Sequence, residues 1–232
     1  MTEFPYNAVG FDLDGTLLDT FRDLGAAVNH ALELGGFDPV PVDSSKDLIG
    51  GGAKIMLARA VDAQGGMPED EFRKLYKQML GYYSEHNAVH TCPYPGAEAV
   101  IDDLADLGVA MVVVTNKFEE FARSILTQVG LANRFVGIIG GNSLGRGDDG
   151  KYIAKPAPDP IYDAARRCSD HLGAPARLAF VGDSSYDVNA ARGAGVPVVV
   201  AGYGYCDNAP SELGGDAVID SLAGLIPALR AL

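Results

Sequence analysis

Three short segments of this 232-residue chain gather carboxylates or hydroxyl, amide and amine donors: Asp12-Leu13-Asp14-Gly15-Thr16, Thr115-Asn116-Lys117 and Gly182-Asp183-Ser184-Ser185-Tyr186-Asp187. A Lys155-Pro156 pair stands between the last two. Brought together, Asp12, Asp14 and Asp183 would offer hard oxygen ligands, and Mg²⁺ prefers one or two carboxylates with waters and phosphate oxygens to a full protein cage. Without a cation, those carboxylates would repel a phosphate. With one bound, a carboxylate can attack phosphorus to form an aspartyl-phosphate while a second protonates the leaving oxygen and then activates water. The transferred group also needs donors, which a hydroxyl and amides at Thr115-Asn116, ahead of a helix N-terminus, and the Lys155 ammonium can supply. Every part that phosphoryl transfer requires is present.

These side chains can act together only if one scaffold collects them. Short apolar runs at Ala8 to Phe11, Ala110 to Val114, Val136 to Ile139, Leu178 to Val181 and Pro197 to Ala201 read as buried strands. Helical periodicity fills the gaps at Ala97 to Leu107, Phe118 to Val129, Ile161 to Leu172 and Val188 to Ala194. This alternation predicts an α/β fold, a Rossmann-like parallel sheet with right-handed crossovers, whose ligands bind at the carboxyl ends of the strands. Three strands end in the reactive segments. The pattern breaks once: from Thr20 to His90 there are three helical segments and no convincing strand. Asp19 or Thr20 can cap the first, Leu57 and Val61 mark the second, and Pro68 opens the third with Glu69, Asp70 and Glu71 in its first turn. The expected organisation is a core of residues 1–18 and 91–232 with a helical cap of residues 19–90 inserted into it.

Composition narrows the partners. With 18 basic against 31 acidic residues the net charge is −13. No dense basic run exists to displace counterions, which excludes nucleic acid as a partner. Cys92, Cys168 and Cys206 lie far apart without metal or disulfide spacing and read as reduced thiols. No signal-peptide pattern and no apolar run of about 18 residues occurs, so a cytoplasmic protein away from the membrane, monomeric or homodimeric, is expected.

Taken singly, the reactive residues have blander readings. Asp14-Gly15 suits a turn, Ser184 with Asp187 fits an S-x-x-D capping box, Thr115 or Asn116 can cap a helix, and Lys155 can be a solvated loop lysine. Their ordered recurrence at the strand ends of one sheet outweighs these readings. Gly145-x₄-Gly150-Lys151 approaches a phosphate-binding P-loop but places Tyr152 where Ser or Thr is required and adds Asp148 and Asp149, so it is rejected. His30, His86, His90 and His171 have no ligand spacing. Gly50, Gly51, Gly52 and Lys54 read equally as a helix-start turn or as a loop that contacts the far end of a substrate.

In order and spacing, DxDGT at Asp12 to Thr16, the strand-terminal Thr115, Lys155-Pro156 and GDSxxD at Gly182 to Asp187 resemble the four motifs of the haloacid dehalogenase superfamily. The resemblance spans the whole chain. It implies Asp12 as nucleophile, Asp14 as general acid and base, Thr115, Asn116 and Lys155 as phosphate binders, and a Mg²⁺ site at Asp12, Asp14, Asp183 and Asp187, with Asp14 contributing its backbone carbonyl. The inserted helices look like the C1 cap of the phosphatase and phosphomutase branch. Asp47-Leu48-Ile49-Gly50-Gly51-Gly52, Tyr94-Pro95-Gly96, Lys155-Pro156-Ala157-Pro158 and Tyr203-Gly204-Tyr205 are similar to bacterial phosphoglycolate phosphatases, whereas Arg146 to Tyr152 departs from that group's texture. The implied reaction is Mg²⁺-dependent hydrolysis of a small phosphorylated metabolite, 2-phosphoglycolate, with Gly51, Gly52 and Lys54 as specificity residues and Lys54 paired with the substrate carboxylate. A sugar-phosphate phosphatase or a β-phosphoglucomutase-like enzyme is the alternative. A receiver-like phosphoacceptor domain shares Asp, Thr, Lys and Mg²⁺, but it is about half this length and lacks the insertion.

Overall fold

A computed structural model describes residues 4–41 and 52–232. The chain divides into two compact units, Met1–Leu18 with Pro93–Leu232, and Asp19–Cys92.

The first unit is a six-stranded parallel sheet. In chain order its strands are β1 (Ala8–Phe11), β4 (Ala110–Val114), β5 (Gly137–Ile139), β6 (Leu178–Gly182), β7 (Val198–Ala201) and β8 (Ala217–Ile219); β2 (Leu18–Asp19) and β3 (Cys92–Pro93) lie where the chain leaves and re-enters the unit. The strand order is β5-β4-β1-β6-β7-β8, so β1 is central and the order reverses beside it. Helices α4 (Ala97–Asp106), α5 (Glu119–Gln128), α6 (Asp159–Leu172), α7 (Ser185–Ala194) and α8 (Leu225–Ala231) connect or follow the strands. The expected Rossmann-like α/β core is therefore observed. All residues of β1, β4, β6 and β7 are buried, as strands covered on both faces must be. Gly10 in β1 leaves room for a large neighbour, because a Cβ there would come 2.7 Å from the Phe180 ring.

Strand β8 and helix α8 escape the sequence reading. Ala217–Ile219 is three residues long between Asp216 and Asp220, and Val218 is exposed on the sheet edge, so no apolar run betrays it. Helices α6 and α7 start earlier than periodicity suggests, because Pro160 and the polar Ser185 occupy first turns that carry little of the apolar pattern.

Among the described residues the second unit holds α1 (Phe21–Leu34), α2 (Ala53–Asp62) and α3 (Glu69–Glu85), in line with the three helical segments expected. Helix α1 packs on both others. Pro68 precedes α3, and Glu69, Asp70 and Glu71 fill its first turn, where acids face the positive end of the helix dipole. Thr20 holds the N-cap position of α1 without a side-chain cap bond. The Tyr82 ring is stacked between His30 and His86, with centroids 4.3 and 4.2 Å away. Gly52 precedes α2 with φ 96°, a conformation that favours glycine, and Lys54 is exposed in the first turn; Asp47 to Gly51 lie outside the described residues. Among the described residues no helix is long and apolar enough to cross a membrane.

The segment that departs from the resemblance is a small hairpin. Arg146 and Tyr152 form an antiparallel bridge, the Gly147 N–H donates to the Lys151 carbonyl, and the Arg146 guanidinium lies 3.9 Å from the Tyr152 ring centre. Hairpin hydrogen bonds occupy Gly147 and Gly150, which agrees with rejecting a P-loop there.

Candidate active site

Register brings the reactive segments to one end of the sheet. Phe11 pairs with Val113 on one side and Val181 on the other, so Asp12 stands level with Val114 and Gly182, one residue short of Thr115 and Asp183. The Asp12 N–H extends the ladder to the Val181 carbonyl at 2.8 Å, and the Thr115 N–H donates to the Ile139 carbonyl at 2.9 Å. Both side chains thus leave rigid backbone.

After Asp12 the chain turns sharply, with the Leu17 and Leu18 amides donating to the Leu13 carbonyl. Gly15 makes this turn with φ 83°, and a Cβ on it would sit 2.1 Å from Asp183 Oδ2. Conformation and space both demand glycine there. The turn buries Thr16, whose hydroxyl donates to Asp183 Oδ1 at 3.3 Å.

Asp187 is wholly buried in the first turn of α7 and does two things. Its Oδ2 accepts the Ser184 N–H at 3.0 Å and the Ser184 hydroxyl at 2.6 Å, fixing the helix start, while its Oδ1 lies 2.5 Å from Lys155 Nζ. The same ammonium is 2.9 Å from Asp12 Oδ1 as an ion pair, without a directed hydrogen bond to that oxygen. Lys155, with its side chain 2% exposed, is therefore no solvated loop lysine. Asn116 anchors its loop by donating from Nδ2 to the Lys155 carbonyl at 2.9 Å. Thr115 is buried, and its Oγ1 accepts the Lys117 N–H at 3.2 Å.

Asp12, Asp183 and Asp187 each present an oxygen within 4.8 Å of the others. The Lys155 ammonium pairs with two of these three buried carboxylates, Asp12 and Asp187. Burial and the Asp187 charge push the Asp12 carboxyl up to about 7 despite the opposing pull of Lys155. Burial, Asp187 and Asp12 hold Asp183 well above the usual carboxylate range, against the lowering bond from the Tyr205 N–H. Burial alone would lower Lys155, but the two carboxylates outweigh it and raise that group above its ordinary value. Three buried carboxylates with oxygens within 4.8 Å of one another form an all-oxygen donor set that could hold a hard divalent ion.

The Asp14 carboxylate stands apart from this cluster, with Lys117 Nζ 3.2 Å from its Oδ1. Lys117 is buried and carries no role in the sequence reading, because a lysine after Thr115-Asn116 has no spacing that reveals where its long side chain ends. The loop after β5 braces this region. Gly141 donates to the Lys117 carbonyl at 2.8 Å, and a Cβ on it would come 2.5 Å from the Asn116 carbonyl oxygen.

The Haloacid dehalogenase-like hydrolase family profile matches residues 9–201. The phosphoglycolate phosphatase of Agrobacterium fabrum is 35% identical over 231 residues, covering 99% of this chain and 95% of that protein. That of Chromobacterium violaceum is 36% identical over 226 residues, covering 96% of each. Among solved structures, a predicted phosphoglycolate phosphatase from Haemophilus somnus superposes with a TM-score of 0.84 at 32% identity, covering 98% of both chains. With a full set of ordered motifs, the matching sheet topology and these relatives over nearly its entire length, the chain belongs to the haloacid dehalogenase-like hydrolases and is one of that family's phosphatases.

Proposed function

We propose that this enzyme hydrolyses 2-phosphoglycolate to glycolate and phosphate through an aspartyl-phosphate on Asp12. The observation that carries the reading is the buried group of Asp12, Asp183 and Asp187 around Lys155 at the strand ends, and relatives named for this substrate support it. Asp12, Asp183, Asp187 and the Asp14 carbonyl would hold Mg²⁺, which when bound neutralises the carboxylates and polarises the phosphoryl oxygens.

Asp12 attacks phosphorus as the bond from phosphorus to the leaving oxygen breaks. Asp14, protonated, gives its proton to that oxygen, and glycolate departs. Asp14 then takes a proton from water, whose oxygen attacks phosphorus and breaks the bond to Asp12, releasing phosphate. Thr115, Asn116 and Lys155 are the proposed donors to the phosphoryl oxygens, and Asp187 fixes Lys155 for that task. The Asp19–Cys92 unit is the proposed cap, with Gly51, Gly52 and Lys54 as its specificity residues and Lys54 as the reader of the substrate carboxylate.

The test is phosphate release by the purified chain with Mg²⁺ on a panel of 2-phosphoglycolate, hexose phosphates and nucleotides. Fastest release from 2-phosphoglycolate is expected. No release from any phosphorylated acid, or transfer of the phosphoryl group between hexose hydroxyls instead of to water, would overturn the reading.

A further inference from the structure

We propose that the loop of residues 202–207 after β7 is a positioning brace for Asp183, and that glycine at position 204 is required for Asp183 to hold a divalent cation. The proposal rests on the reading of Asp183 as a metal ligand. It assigns work to Tyr203, Gly204, Tyr205 and Asp207, none of which contributes a side-chain ligand to the carboxylate cluster.

The loop is fastened at successive residues. Tyr203 Oη donates to the Thr16 carbonyl at 2.8 Å, tying the loop to the turn that carries Asp12 and Asp14. The Gly204 N–H closes a turn onto the Ala201 carbonyl at 3.0 Å, and the Tyr205 N–H donates to Asp183 Oδ2 at 2.7 Å. Asp207 accepts both the N–H and the hydroxyl of Ser185, at 2.8 and 2.5 Å, and so pins the start of α7 two residues beyond Asp183.

The Asp183 carboxylate is closely approached by two glycines. A Cβ on Gly15 would come 2.1 Å from its Oδ2, and a Cβ on Gly204 would come 2.6 Å from the same oxygen, 2.4 Å from Asp183 Cβ and 2.4 Å from the Gly15 carbonyl oxygen. With Oδ2 on the Tyr205 amide and Oδ1 facing the Thr16 hydroxyl, the orientation of the carboxylate is set before any ion arrives. Burial, with the neighbouring Tyr94 and Asp183, holds the Tyr203 phenol well above its ordinary value, so it stays protonated and keeps donating to Thr16.

The test is a Mn²⁺ titration of the full chain without substrate, read from the free-ion electron paramagnetic resonance signal, with thermal melts in parallel. Orienting groups behind metal ligands are worth about 10- to 100-fold in affinity. Asp183→Asn and Gly204→Ala are each expected to weaken Mn²⁺ binding by about tenfold or more. Asp207→Ala is expected to weaken it several-fold while melting as the parent does, and raised Mg²⁺ should restore turnover in both loop variants. Should Gly204→Ala fail to fold, Asp207→Ala and Tyr203→Phe carry the same comparison. Parent-like binding by the loop variants with loss in Asp183→Asn would overturn the brace and leave the metal site standing. Parent-like binding by Asp183→Asn would overturn the metal assignment and the brace with it.

Discussion

Lys117 Nζ stands 3.2 Å from Asp14 Oδ1, with the lysine side chain 5% exposed and the aspartate 16%. A nearly buried ammonium so close holds in position the carboxylate proposed to move protons. Displacing a catalytic group by about 1 Å can cost ~10²-fold in rate. Lys117→Met is therefore expected to lower kcat by about tenfold to a hundredfold. Lys117→Arg should recover part of the loss. Steady-state kinetics at saturating Mg²⁺ decide it, and an unchanged kcat in Lys117→Met would show that Asp14 needs no such partner.

Asp12→Asn keeps the shape of the nucleophile and removes its charge. Turnover should fall by more than about a thousandfold, since a lost nucleophile leaves only binding and electrostatic contributions. Acid-quenched parent enzyme should carry phosphate on Asp12, found by peptide mass spectrometry, and the variant should carry none.

The Lys155 ammonium is set against both Asp12 and Asp187. Removing one partner of a buried pair leaves an uncompensated charge and costs about 3–5 kcal/mol. Lys155→Met should lose about that much stability in urea unfolding at pH 8 without Mg²⁺. The loss should shrink at pH 6, where a carboxyl raised to about 7 takes up a proton instead.

The raised Asp12 and Asp183 carboxyls also fix how the metal-free protein responds to pH. A carboxyl raised above its unfolded value near 4 binds its proton more tightly in the folded state. Its contribution to stability is complete at low pH and is lost as pH rises through the folded value, about 7 for Asp12. Without Mg²⁺ the melting temperature should therefore fall between pH 6 and pH 8. Saturating Mg²⁺, which binds the ionised form, should raise it more at pH 8 than at pH 6. Scanning calorimetry over that range tests the sign, and a larger Mg²⁺ effect at pH 6 would contradict it.

Asp23 holds the second unit together. Buried near the start of α1, it accepts the His90 N–H on both oxygens at 3.0 Å, and the Thr91 N–H and hydroxyl at 2.9 and 2.8 Å. Asp23→Ala strands those donors, at a cost of about 3 kcal/mol for charge-assisted bonds. Unfolding midpoints measure it, and a change under about 1 kcal/mol would mean that water replaces the carboxylate.

Much of this protein was legible in the sequence because it rests on local pattern. Fully buried parallel strands must be apolar runs, so β1, β4, β6 and β7 announced themselves, and the break in their alternation marked the inserted helices. That Asp12 and Asp183 would meet was legible because both follow strands of one parallel sheet, whereas Lys155 reaches Asp12 and Asp187 from a loop between β5 and α6. Strand β8 was not legible, being a three-residue edge with one face exposed. Nor was the Lys117–Asp14 pair, the raised Asp12 carboxyl, or the close approach of Gly15 and Gly204 to Asp183. Each depends on side chains from distant segments meeting within a few ångströms, and on how little water remains around them. The sequence by itself determined which residue types the chemistry would use and which elements would carry them. Only the tertiary structure decided which oxygen faces which donor, because burial and register, not order along the chain, set those distances.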